Sequence, residues 1–107
     1  MLTVVDPLIF SQRKRIIDFG NEHRVPMIHE SKVFVADGAL VSYGPDLFDM
    51  GRRAASQVDK ILKGAKAGDL PVEQPTKFDL AINLKTAKAL GITFPNDVIV
   101  SANTVID

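Results

Sequence analysis

Five positions in this 107-residue chain offer groups suited to holding a small molecule: Asp6, Glu30, Ser42, Tyr43 and Gly44. Each falls where a short apolar run gives way to a turn. The Asp6 carboxylate, directly before Pro7, can hold a ligand's ammonium or hydroxyl group, or accept the turn hydrogen bonds common in Asp-Pro sequences. Glu30, followed by Ser31, closes the run 26–30. Tyr43 can stack on a ligand or hydrogen-bond it through its phenol, or sit in the core with its hydroxyl at a sheet edge. Gly44 allows a ligand to approach the backbone closely, or simply permits the turn before Pro45. These groups supply charge, hydrogen bonds and stacking, which is the chemistry of binding.

The usual signatures of catalysis are missing from the sequence. There is no nucleophile elbow, phosphate-cradling loop or dinucleotide fingerprint. His23 and His29 fall on different predicted elements, without a third ligand at recognisable spacing. Cysteine is absent, which excludes thiolate metal sites and disulfides. Asp46 and Asp49 are spaced as helix-cap residues, which accounts for them without acid–base chemistry. The expectation is a non-enzyme with no cofactor and no metal.

Thirteen basic residues balance thirteen acidic ones, so no overall field favours nucleic acid or an anionic membrane. The Arg13-Lys14-Arg15 run lies in an amphipathic segment without interleaved aromatics and reads as a solvated helix face. No apolar run approaches the roughly 20 residues of a membrane span. The first six residues lack the basic start and long apolar stretch of a signal peptide, so the residues alone suggest a cytosolic chain.

The elements that would position the five groups can be read from periodicity and punctuation. Residues 2–5 form an apolar, β-branched run closed by Asp6-Pro7, predicting a buried strand. Ser11 is expected to cap a helix to His23 with Ile16, Ile17 and Phe19 on its buried side. A second short strand spans 26–30, one or two helical turns span 31–36, and a third strand spans 39–43. Asp46 caps a predicted helix over 47–63, in which Leu47, Met50, Ala54, Val58, Ile61 and Leu62 form one apolar stripe. Gly64 stops it, and residues 65–76 read as an exposed connector. A strand over 78–84 follows, then a helix capped at or beside Asn83 and stopped by Gly91. A short terminal element begins at Pro95. This alternation argues for an α/β fold with a mainly parallel sheet flanked by helices. In such sheets ligands sit beyond the carboxyl ends of the strands, which is what nominates the five positions.

The stretch Gly38-Ala-Leu-Val-Ser-Tyr-Gly-Pro-Asp-Leu-Phe-Asp-Met-Gly-Arg-Arg53 resembles the C-terminal region of ABC-transporter substrate-binding proteins of the tryptophan/tyrosine type. Val58-Asp-Lys-Ile-Leu-Lys-Gly64, Leu70-Pro-Val-Glu-Gln-Pro-Thr-Lys-Phe78 and Ile82-Asn-Leu-Lys-Thr-Ala-Lys-Ala-Leu-Gly91 extend the likeness over nearly the whole chain. The resemblance implies the solute-binding component of an ABC importer, taking an amino acid or similar small molecule without catalysis. Its partner would be the ABC permease, and its place periplasmic or membrane-anchored on the outer side, which displaces the cytosolic reading.

Such proteins have two α/β lobes of the periplasmic-binding-protein type I kind around a cleft, and this chain resembles the C-terminal portion only. By that resemblance Asp6 faces the cleft and residues 42–44 lie where the chain crosses between lobes. Asp46 to Arg53 begins a structural helix. Tyr43-Gly44-Pro45 replaces other small and aromatic residues of the family, so the ligand is expected to differ. The organisation expected is a single α/β unit, with about 1–43 as second-lobe part and crossing, and 44–107 as long helix, connector, strand and C-terminal helix. Uncovered edges and apolar faces would favour a homodimer or strand exchange, and binding by this portion alone would be weak or absent. The alternative is a small flavodoxin-like regulatory or protein-interaction domain with no ligand.

Overall fold

A computed structural model describes residues 1–4 and 6–107. In chain order the elements are helices α1 (Pro7–Ser11) and α2 (Arg13–Glu22), strand β1 (Ile28–His29), helix α3 (Lys32–Ala36) and strand β2 (Val41–Pro45). Helix α4 (Leu47–Leu62), a 3-10 turn (Ala67–Asp69), strand β3 (Phe78–Asn83), helices α5 (Leu84–Leu90) and α6 (Asn96–Ser101), and strand β4 (Thr104–Ile106) complete it. The sheet order is β1-β2-β3-β4. β1 pairs parallel with β2, and β3 with β4. The central pair runs antiparallel: Asn83 N–H reaches the Leu40 carbonyl at one end, and Asp46 N–H reaches the Lys77 carbonyl at the other. The fold is α/β as expected, with a mixed sheet. The physical reason is local: α3 and the α5–α6 pair serve as crossovers between parallel neighbours, whereas residues 46–77 return the chain beside itself.

The chain divides into two compact units. One comprises Met1–Gly44 with Asp79–Asp107, the other Pro45–Phe78. The first unit contains the core. Ile17, Phe34 and Ala39 form its centre, with Ile9 packed against them. Met27, Val35, Leu40, Ala81, Ile82 and Ala87 are buried with them. Fully burying a side chain the size of Phe34 stabilises by about 1.5–3 kcal/mol. Three polar contacts tie the helices together. The Gly38 carbonyl accepts from Asn21 Nδ2 (3.1 Å) and from Thr86 Oγ1 (2.9 Å), and Asn83 Nδ2 reaches the Val35 carbonyl (3.4 Å).

Several local expectations are met. Asp46 and Asn83 cap α4 and α5, accepting from Asp49 and Thr86 N–H respectively, and the helical turns expected over 31–36 form as α3, with Ser31 accepting from Val33 N–H. Gly91 adopts φ +74°, the left-handed stop that glycine tolerates without a Cβ penalty. Others need correction. The helix expected to run to His23 is α2, but Ser11 does not cap it. Ser11 ends the earlier helix α1, which Asp6 caps with Pro7 at its first position, and Gln12 precedes α2 without a side-chain cap bond. Phe19 is not buried: it is 52% exposed and stacks on His23 at 4.3 Å. The strand expected over 2–5 is reduced to a parallel bridge between Leu2 and Ile28, and Val5 lies outside the described residues. The expected third strand is shifted by two residues toward Pro45, and the terminal element resolves into α6 and β4.

The second unit is organised differently. Among its described residues the buried one is Asp49, whose carboxylate accepts from Arg52 Nη2 (2.6 Å) and Arg53 Nε (3.0 Å). The α4 stripe is correctly placed on a helix, yet Leu47, Val58, Ile61 and Leu62 remain exposed. Periodicity reports an apolar face and does not report what covers it.

Candidate functional site

β1 and β2 lie side by side and parallel, so their carboxyl ends emerge together, with Glu30 following β1 and Gly44 near the end of β2. The two backbones meet closely here. A Cβ built on Gly44 would lie 1.9 Å from the Glu30 carbonyl oxygen, a distance no side chain can occupy. Gly44 is therefore required by close approach of strand to strand, and its backbone angle plays no part. Neither reading of Gly44, approach of a ligand or the turn before Pro45, anticipated this contact with the neighbouring strand.

Alternation along β2 separates its side chains. Ser42 and Gly44 are buried while Tyr43, between them, is 56% exposed. Glu30 is half-buried, and one of its carboxylate oxygens accepts from the Thr3 hydroxyl at 3.3 Å. Asp6 is exposed and caps α1, its Oδ1 accepting from Leu8 N–H at 2.8 Å. That bond occupies one oxygen of the carboxylate. Glu30 and Gly44 are thus brought together at the strand ends, with Tyr43 neighbouring them in sequence. Ser42 is only 1% exposed, so its hydroxyl lies inside.

Two residues not singled out as binding groups complete the arrangement. His29 is 1% exposed, stacked on Phe34 with ring centroids 4.3 Å apart and planes 12° apart. Its Nδ1 is 2.7 Å from Thr3 Oγ1. Burial pushes the His29 pKa below its ordinary value; Glu30 pulls it back upward, and the Met1 amine adds to the depression. Thr3 hydrogen-bonds both His29 and Glu30 and holds the N-terminal segment against β1, where its N–H also reaches the Ile28 carbonyl at 3.1 Å. The buried–exposed–buried alternation of Met27, Ile28 and His29 belongs to the folded strand, and the adjacent apolar residues Met27 and Ile28 carry no such alternation in residue type. Thr3 had no signal in the sequence either, because its partners are 26 and 27 residues away.

Within the second unit, α4 and residues 67–75 enclose an open groove of about 390 Å³, with Met50, Arg53, Gln57, Ile61, Leu70 and Val72 among its walls. Arg53 donates to Thr76 Oγ1 (2.5 Å) and Gln57 to the Pro71 carbonyl (3.2 Å), which hold the segment to the helix. No sequence-nominated binding residue lines it. Among the described residues, no three His, Asp or Glu side chains are grouped as metal ligands.

An α/β unit with polar groups at the ends of parallel strands is a framework for a binding protein. The family model described as ABC transporter substrate binding protein matches residues 1–106, and the chain belongs to that family. A search of curated proteins gave no match. Among solved structures, an ABC domain in complex with L-Trp from Streptococcus pneumoniae is 30% identical, with a TM-score of 0.89 over 98% of this chain and 36% of that one. A conserved domain protein from Vibrio cholerae is 31% identical, with a TM-score of 0.88 over 97% of this chain and 35% of that one. A ligand-free, open substrate binding protein with adhesive properties from Clostridium difficile is 24% identical, covering 99% of this chain and 35% of that one, and shares the fold at a TM-score of 0.70. The chain spans about a third of the length of each of these structures.

Proposed function

We propose that the chain is part of the solute-binding component of an ABC importer, taking an amino acid or a similar small molecule without converting it. The observation that carries this reading is the likeness, over 98% of the chain, to a domain whose structure holds L-Trp. In this proposal Glu30 provides negative charge for a ligand ammonium group at the ends of β1 and β2. Tyr43 contributes its ring or phenol, and Gly44 keeps the strand ends close. Asp6 adds a second carboxylate, one oxygen of which is already used in capping α1. Ser42 acts from beneath the site. The partner is an ABC permease on the outer face of the membrane. Exposed apolar side chains, including Leu2, Phe48 and Leu62, further support self-association of the 107-residue chain as a homodimer or by strand exchange.

The test is a thermal-shift and calorimetric screen of the protein against the L-amino acids. A ligand that binds only the native state raises the melting temperature as its concentration rises. The expected result is at most a weak rise, at high concentrations of at least one amino acid, lost in Glu30→Gln and reduced in Tyr43→Ala. No shift with any amino acid would count against a complete site in this chain.

A further inference from the structure

Two buried polar atoms have no hydrogen-bond partner among the described residues: His29 Nε2 and Ser42 Oγ. They belong to residues directly opposite each other in the parallel β1–β2 register. Opposed residues in adjacent strands direct their side chains to the same face of the sheet. Leaving a buried donor or acceptor unpaired is costly, so two orphans on one face point to a shared partner. We propose that Ser42, His29, Thr3 and Glu30 form one hydrogen-bonded relay, closed at its buried end by a single enclosed water between Ser42 and His29, which fixes His29 as the Nδ1–H tautomer and orients the Glu30 carboxylate.

The argument turns on counting protons. Thr3 Oγ1 contacts both His29 Nδ1, at 2.7 Å, and Glu30, at 3.3 Å, and a hydroxyl has one proton to give. If Thr3 donates to Nδ1, its oxygen faces the Glu30 carboxylate with no proton between them. If it donates to Glu30, Nδ1 must carry hydrogen and donate to Thr3, and both contacts are satisfied. Nε2 is then a bare acceptor. Ser42 has a hydroxyl proton to supply, and a water between them accepts from Ser42 and donates to Nε2. Phe34 lies parallel to the ring on one face and restricts its rotation toward that side.

The charged groups acting on His29 are Glu30 from its own strand and the Met1 amine from the N-terminal segment. Phe34 from α3 and Ser42 from β2 are uncharged. His29 and Thr3 are therefore positioning residues for Glu30. Only Glu30's role in holding a ligand rests on the proposed function; the relay itself does not.

The experiment is long-range proton–nitrogen NMR of the uniformly 15N-labelled chain, which distinguishes a protonated from a bare ring nitrogen. At pH 7.5 His29 should show hydrogen on Nδ1 and none on Nε2, without ligand. An Nε2–H pattern, or rapid averaging of the two forms, would overturn the proposal. Glu30→Ala removes the group that demands the Thr3 proton and should convert His29 toward Nε2–H. Glu30→Gln retains an acceptor and should preserve Nδ1–H. A side chain present only for packing would leave the tautomer unchanged in both variants, and that result would also overturn the relay. Because no ligand is used, failure of this test is separate from failure of the ligand screen.

Discussion

At the scale of single residues, His29 and Gly44 make opposite demands on the same strand ends. Buried His29 is held neutral mainly by desolvation, so the unfolded chain binds its proton more readily than the native chain. Stability from this group is therefore complete above the ordinary pKa of 6.5 and is lost as pH falls below it, toward the lower native value. Urea unfolding midpoints measured from pH 8 to 5 should decline below about pH 6.5, and His29→Phe should flatten that decline. Gly44 demands space. Gly44→Ala drives a methyl group into the Glu30 carbonyl, which is backbone and cannot rotate away. Its expected cost is about 1–3 kcal/mol by urea denaturation, as for other overpacked sites. Gly20→Ala meets only the end of the Met27 side chain and should cost less, because thioether chains readily change rotamer.

At the scale of elements, the helix caps differ in what else they hold. Asp46 caps α4 through one bond to Asp49 N–H, so Asp46→Ala should cost about 1 kcal/mol. Asn83 caps α5 and, from a buried position, also bonds the Val35 carbonyl, joining α5 and β3 to α3. Asn83→Ala should therefore cost more than Asp46→Ala, about 2 kcal/mol, since it removes a cap and a second, buried hydrogen bond, although the Val35 carbonyl keeps Gly38 N–H as a donor. Paired chemical denaturation curves would check the order. The first turn of α4 has its own acid limit. The Asp49 pKa is lowered first by the Arg52 hydrogen bond and then by the charges of Arg53, Lys77 and Arg52, against the opposing effect of burial. Its contribution is present above the ordinary value of 3.8 and disappears as pH falls below it, a range distinct from that of His29.

At the scale of the whole molecule, burial is uneven. Among the described residues the first unit contains all of the buried apolar ones, whereas the second buries Asp49 and leaves most of the α4 stripe exposed. Backbone amides of α4 should consequently exchange with deuterium by local opening, well before those of β3 residues Ala81 and Ile82. Equal protection of both would contradict that division. The exposed apolar residues also predict concentration-dependent association of the 107-residue chain. Light scattering should show a dimer at the highest accessible concentrations, and a monodisperse monomer throughout would count against it.

What the amino-acid sequence determined by itself was local. Asp46 and Asn83 announced helix starts because a cap joins a side chain to an N–H only three residues away. Gly91 announced a helix end because only glycine enters the left-handed region without strain. The alternation of strand and helix was enough for the α/β class, and the motif order was enough for the family. The tertiary structure alone decided which strands became neighbours, and so set Ser42 opposite His29, Gly44 against Glu30, and Thr3 between His29 and Glu30. Those contacts depend on register between segments distant in sequence. No local periodicity encodes such a register, because it is set by how the separate apolar faces find a common core.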